Sequence, residues 1–424
     1  MRTLAILLSA MLIAIQMPAQ ERCQSATYQE KIRMQHPGIA SELSRIQTKS
    51  KSLQDQLRTS SFMMRTVNSW DTIYIPVVVH VVYSDDAGNI SDDQIQSQID
   101  ILNADFNKTN SDFAKVPNVF VNRAGEARIH FQLATADPEG RATTGIIRKK
   151  SGRMMWLDDD LVKYDGHGGS TAWDSKSYLN IWVANLSGGL LGYASFPGGL
   201  AEKDGVVIRP NVFGSRGKLM PTFNKGRTAS HEVGHWLNLK HLWGDITCGD
   251  DDVFDTPKQR SHNTGCPSFP RINAGCDNGA NGDMFMNFMD FTNDACMGMF
   301  TIGQVFMMRS MFEEDMPRNA MLESRGLDKP WNLTPSPTTS SEFSGKMKVY
   351  PNPVSSSSLT LTTTNDENWV GKYFFIFNQS GQMVMSGKLN LRQHSINVSK
   401  LSGGVYYIRV GSDSENLSTR FVKQ

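Results

Sequence analysis

The sequence predicts an α/β unit of catalytic size followed by a small all-β sandwich, and three observations predict it. The run Ile73–Tyr83 is β-branched and nearly continuous, as expected of a strand buried on both faces. Ser91-Asp92-Asp93-Gln94 is a capping box, and Ile95, Ile99, Leu102 and Phe106 recur behind it at helical spacing. Beyond residue 346, short β-type runs alternate with turn signals such as Asn352-Pro353 and Ser402-Gly403-Gly404, the pattern of a small sandwich. Further strands are expected over 128–133, 178–186 and 205–208, and Thr301-x-x-Gln304 opens a late helix. Strand, long helix, several strands and a second helix in that order make the first unit α/β.

The chain has 424 residues, which allows about two or three domains. Its 43 Lys+Arg against 42 Asp+Glu leave a net charge of +1, which excludes the basic surplus of a nucleic-acid or polybasic membrane binder. With 39% hydrophobic and 20% charged residues, wholesale disorder is excluded too. Arg2, the apolar stretch Leu4–Ile15 and Ala19 read as a secretory signal peptide over 1–19. Residues 20–55, polar and rich in Gln, Ser and Lys, read as a pro-segment. The large unit then spans 56–330, a Pro/Ser/Thr-rich linker 331–345, and the β module 346–424.

Chemistry concentrates at Thr228–His241. On a helix His231 and His235 project from one face and can share a cation, with Glu232 beside them. His241 would lie about 15 Å along an unbroken axis from His231, so the helix must stop near Asn238, a residue type that tolerates the left-handed conformation. Three imidazoles then leave one open position, the arrangement of a catalytic zinc, and Glu232 is placed to act as general base toward water there. A surface binding protein that keeps a non-catalytic zinc site is the alternative reading of the same residues.

His231-Glu-x-x-His235-x-x-Asn238-x-x-His241 resembles the signature of metzincin metalloproteases, with Asn238 where that clan has Gly. Asn287-Phe-Met289-Asp-Phe291 resembles the Met-turn of the pappalysin family, Met289 matching the Met beneath the metal. The resemblance implies a metzincin-type domain with a twisted sheet and an active-site helix, and secreted peptide hydrolysis. Relatives carry Tyr where this chain has Phe291, so its hydroxyl is missing from the oxyanion region.

Five cysteines follow the expected signal. Cys248, Cys266, Cys276 and Cys296 cluster and allow three connectivities, which leaves Cys23 over. A Cys23 thiolate suits the fourth zinc position, and the resemblance implies that it keeps a zymogen latent until cleavage between about Lys49 and Arg65. The resemblance also implies the pairs Cys248–Cys276 and Cys266–Cys296. It implies a calcium site in the acidic loop, from Asp251, Asp252, Asp255 and the backbone oxygens of Val253 and Thr256. Asp294 matches an acid at the floor of the S1′ pocket, which implies cleavage before Arg or Lys.

The terminal module, with Val349–Val354 (VYPNPV) and Leu401–Val410 (LSGGVYYIRV), resembles the sorting domain of type IX secretion. The expected partners are therefore peptide or protein substrates and the secretion machinery of a Gram-negative bacterium, with no nucleic acid and no transmembrane segment in the mature chain.

Overall fold

The computed structural model describes residues 22–59, 70–273, 275–276, 278–332, 347–363, 372–379, 382–389, 393–412 and 415–424. The expected signal peptide and all but Trp331 and Asn332 of the expected linker lie outside them. Among the described residues no helix is long and apolar enough to cross a membrane.

The sheet of the first unit is built around β1 (Ile73–Tyr83). Its first half pairs in parallel with β2 (Ile129–Leu133) and its second half with β3 (Ile146–Lys150). Its other edge carries β4 (Leu179–Ala184). Beyond β4 lies β6 (Val206–Ile208), again parallel, and then β5 (Gly192–Ala194), the antiparallel edge strand. Parallel strands need cover on both faces, and β1 has it. Ile75, Val77, Val79 and Val81 join the main core, whereas Val82 joins a second cluster with Trp182 and Tyr193 on the opposite face.

The main core is closed by helices. In α3 (Asp92–Phe106), Ile95, Ile99, Leu102 and Phe106 are all buried, and the Ser91 side chain caps the Gln94 N–H. Next comes α4 (Arg227–Trp236), which is buried at every residue, and then α5 (Ile302–Ser310), opened by the Thr301–Gln304 capping box. Arg227 ties α4 to α3 by a buried ion pair with Asp105, and to the turn that follows α3 by a second pair with Asp112 at 3.3 Å. Such a guanidinium is costly to bury unless carboxylates face it on more than one side.

The polar stretch before β1 is helical where described: α1 (Ser25–Gln35) and α2 (Pro37–Thr59). Ile46, Ser50 and Gln54 recur every four residues and are buried, so a sequence with few apolar residues still offers one covered face. The helix α2 runs past the expected boundary at residue 55.

The C-terminal residues form two packed sheets with their own core. One has the order β10-β9-β12-β13: β9 (Tyr373–Asn378), β10 (Met383–Lys388), β12 (Gly404–Ser412) and β13 (Glu415–Lys423). The other is β11-β8-β7: β7 (Met347–Tyr350), β8 (Ser358–Thr363) and β11 (Gln393–Asn397). Leu359, Leu361, Phe374, Ile376, Ile408 and Phe421 fill the space between them.

Candidate metal centre

The helix α4 stops where the sequence requires it to. Asn238 has φ 76°, its N–H bonds the His235 carbonyl at 2.9 Å, and the Leu239 N–H reaches back to the Gly234 carbonyl at 2.9 Å. This is the paired closure of a Schellman turn, with the left-handed residue supplied by Asn instead of Gly. The chain reverses and returns His241 to the face of His231 and His235. The three Nε2 atoms stand 3.1–3.2 Å apart.

Each ring is oriented from behind. His231 Nδ1 faces the Phe288 carbonyl at 2.7 Å, His235 Nδ1 the Leu239 carbonyl at 2.7 Å, and His241 Nδ1 the Asp245 carboxylate. Those acceptors fix the ring protons on Nδ1, so three Nε2 lone pairs converge with no proton left to separate them. Lone pairs held so close repel unless a cation lies between them. Tetrahedral zinc–nitrogen bonds of about 2.0–2.1 Å place their nitrogens about 3.3 Å apart, so the donor set fits that ion. Burial, with repulsion from the neighbouring rings, holds two of the imidazoles neutral: His235 is lowered to about 3 and His231 well below its usual value.

Cys23 could be a fourth donor. Its sulfur and the three imidazole nitrogens all lie within 4.8 Å of one another, the cluster of potential metal donors found among the described residues. Cys23 reaches it by pairing in parallel with Gly192 of the edge strand β5. A Cβ at position 192 would stand 3.1 Å from Glu232 Cγ and 3.0 Å from the Val207 carbonyl, so glycine lets β5 lie close against Glu232. Ser25 accepts the Ala194 N–H at 2.8 Å and donates its hydroxyl to Glu232 Oε2 at 2.7 Å. Glu232 is wholly buried, and that burial raises its carboxyl to about 7.

Below the rings, Met289 Sδ would be 2.6 Å from a Cβ at Gly234, so the sulfur fills the space that this helical glycine leaves. Phe291 lies perpendicular to His241 at 4.9 Å, Trp243 stacks on that ring at 4.4 Å, and the two aromatic rings touch each other at 5.0 Å. Asp294 has two tasks. Its Oδ2 accepts the backbone N–H groups of Lys225 and Arg227 at the start of α4, at 2.8 and 3.2 Å. Its Oδ1 pairs with the buried guanidinium of Arg22 at 3.2 Å, which also bonds the Thr292 carbonyl.

The structure closes the disulfides Cys248–Cys276 and Cys266–Cys296, with Cα separations of 5.5 and 5.6 Å. The acidic loop is held by its own hydrogen bonds and ion pairs. Asp251 accepts from the Thr256 hydroxyl and the Val253 N–H. Asp252 turns to Lys240, Lys51 and Gln47, and Asp255 caps α5 through Thr301 and the Gly303 N–H. Of these three acids only Asp252 thus faces lysines; burial raises the carboxyls of the other two, Asp251 to about 8 and Asp255 in the same direction.

Sequence reasoning missed Arg22, Ser25 and Asp245. Asp245 lies four residues past a candidate ligand, where a carboxylate partner for its second nitrogen is a reasonable search target. Arg22 and Ser25 flank Cys23 but carry no motif.

Comparison with known proteins agrees with this geometry. Residues 163–313 match the family model described as pregnancy-associated plasma protein-A, and residues 348–424 match the secretion system C-terminal sorting domain. An extracellular metalloprotease of Arthroderma benhamiae is 32% identical over 240 residues, covering 55% of this chain and 74% of that protein. Mature mirolysin of Tannerella forsythia in complex with a cleaved peptide is 50% identical (TM-score 0.58), covering 60% of this chain and 96% of that one. A Glu→Ala mutant of promirolysin from the same organism is 45% identical (TM-score 0.64), covering 71% and 97%. The reading as a non-catalytic binding protein gives way to these matches. The chain belongs to the pappalysin family, the pregnancy-associated plasma protein-A peptidases, and is a secreted metalloendopeptidase with a C-terminal sorting domain for type IX secretion.

Proposed function

We propose that the chain is a zinc endopeptidase made as a zymogen, with residues 20–55 as its pro-segment, 56–330 as the catalytic domain and 346–424 as the sorting domain. The observation that carries this reading is the convergence of three proton-free Nε2 atoms on one point, with Cys23 as fourth donor. His231, His235 and His241 would hold a zinc ion, which would supply the positive charge that acidifies a water and polarises the scissile carbonyl. Glu232, buried and held near neutrality, takes the proton from the attacking water and hands it to the departing amine. The apolar ring of Phe291 beside His241 has no hydroxyl to donate to the developing oxyanion.

Arg22 supports a preference for Arg or Lys at P1′. Its guanidinium sits on Asp294, with the Phe223 ring 4.9 Å away, as a basic side chain of a substrate would. In the same segment Cys23 takes the coordination position that water needs, so the intact chain is latent. A disulfide-stapled loop over 248–296 borders this site. The test is a cleavage-site profile of wild type and Glu232→Ala, with metal analysis of both. The expected result is one zinc in each, cuts before Arg and Lys in wild type, and none in the variant. Cleavage by Glu232→Ala at the wild-type rate would falsify the assignment of the base.

A further inference from the structure

On the sheet face opposite the metal, the N-terminal segment fills a second and separate socket. Cys23 and Ser25 lie on the metal side of the edge strand β5, against Gly192 and the Ala194 N–H. The chain then turns into α1, and Tyr28, 2% exposed, drops among Tyr193, Trp182 and Lys163. The Tyr28 hydroxyl donates to Asp160 Oδ2 at 2.8 Å, and its ring lies 5.2 Å from that of Tyr193. Lys163 Nζ stands 5.3, 5.3 and 5.1 Å from the ring centroids of Tyr28, Trp182 and Tyr193.

The walls of this socket are held without Tyr28. Asp160 is 1% exposed and Lys163 0%; they pair at 2.9 Å, and Lys203 adds a second ammonium to Asp160 at 3.3 Å. Lys163 also donates to the Lys203 carbonyl at 2.7 Å. Asp160 itself sits at φ 63°, a conformation that an Asp adopts only where its surroundings fix it. Two ammoniums to one carboxylate repel a basic side chain. A phenol suits the site: its hydroxyl satisfies the carboxylate oxygen, and its ring face receives the buried ammonium. A phenylalanine would keep the ring contact but take one of its two donors from Asp160 Oδ2, leaving Lys203 alone there.

We propose that this socket is a tyrosine-binding site of the mature enzyme, and that its ligand is the enzyme's own excised pro-segment, held through Tyr28 after the chain has been cut. The proposal rests on the reading of the N-terminal segment as a removable pro-segment. Severing the connection to β1 then does not free the cleft; the fragment leaves only when Tyr28 quits its socket or α1 is itself cut.

The experiment uses the full chain with Glu232→Ala, so that it cannot process itself, and a recognition sequence for a specific protease placed between residues 60 and 69. After cutting, gel filtration follows whether the N-terminal fragment stays with the remainder and how fast it leaves. The fragment is expected to co-elute. Tyr28→Phe should speed its departure about ten-fold, the loss expected for one hydrogen bond to a charged group. Asp160→Asn should accelerate it similarly, and the double variant should add little more. Departure of the Tyr28→Phe fragment at the wild-type rate, or immediate loss of the wild-type fragment, overturns the proposal. Failure of the latency reading shows up elsewhere: the cut chain with Glu232 intact would hydrolyse peptides while the fragment remained bound.

Discussion

Ser25 and Glu232 are joined by a 2.7 Å hydrogen bond in which the serine hydroxyl donates to the carboxylate proposed as the general base. The same hydroxyl accepts the Ala194 N–H, and the Ser25 N–H points at Cys23 Sγ at 3.3 Å. Latency in this reading has two chemical parts, a sulfur for the metal and a hydroxyl for the base.

Removing that hydroxyl should therefore weaken latency without abolishing it. Ser25→Ala leaves Cys23 in place but takes away a bond to a buried carboxylate, worth about 1.5–3 kcal/mol. Self-processing of the zymogen, followed by the appearance of the new N-terminus, should speed up by about ten-fold or more. Cys23→Ala should exceed it, and Ser25→Thr should restore most of the delay. If Ser25→Ala processes at the wild-type rate, the serine is packing and no more.

How much of this was legible beforehand varies with the kind of signal. Ile73–Tyr83 and Asp92–Phe106 could be read because strand and helix periods leave regular marks. The reversal at Asn238 could be read because His241 has no other way back to the metal, and its φ of 76° is the form that this required. The edge strand β5 could not: three residues, one of them glycine, carry no period. The two helices before β1 were hidden for a different reason. Their buried faces are mostly Ser, Gln and isolated Ile, which bury against a surface that the sequence does not reveal. In the acidic loop carboxylate density does not say where each oxygen points: Asp252 faces lysines, whereas burial raises Asp251 and Asp255.

Asp294 offers a cleaner separation of specificity from folding than its burial suggests. Its Oδ2 holds the start of α4, while its Oδ1 faces the Arg22 guanidinium. Asp294→Asn keeps an acceptor for the helix N–H groups and removes the charge. The kcat/KM for peptides with Arg at P1′ should then fall about 10- to 100-fold, the range for losing a charged hydrogen-bond partner. Peptides with a neutral P1′ residue should change little, and the melting temperature should stay within a few degrees. An equal loss for Arg and neutral peptides would place the defect in α4 instead of the pocket.

A last expectation concerns acid. His80 is buried on β1, stacked on Trp182 at 5.1 Å, with Ser170 Oγ at 2.8 Å from Nδ1 and Asn180 Oδ1 at 3.0 Å from Nε2. Asn180 Oδ1 already accepts the Trp173 N–H, so the network holds one neutral tautomer, with Nε2–H donating and Nδ1 accepting from the serine. Burial lowers His80 to about 4; the bond to Asn180 and the more distant charge of Asp165 pull the other way but do not win. The sign follows from proton counting. An unfolded histidine titrates near about 6.5, so between that pH and about 4 the unfolded chain binds the proton and the folded one does not. Stability from this residue is therefore fully present above about 6.5 and is lost as the pH falls toward 4, by about 3 kcal/mol in all. Carboxylates raised by burial, such as Asp290 at about 6, act in the opposite sense, so the comparison must be made against a variant. Denaturant titrations of wild type and His80→Gln at pH 7.5, 5.5 and 4.5 isolate the term. The gap between the two should narrow as the pH falls, because glutamine has no proton to take up. A gap that stays constant across that range would mean that His80 accepts its proton inside the folded sheet.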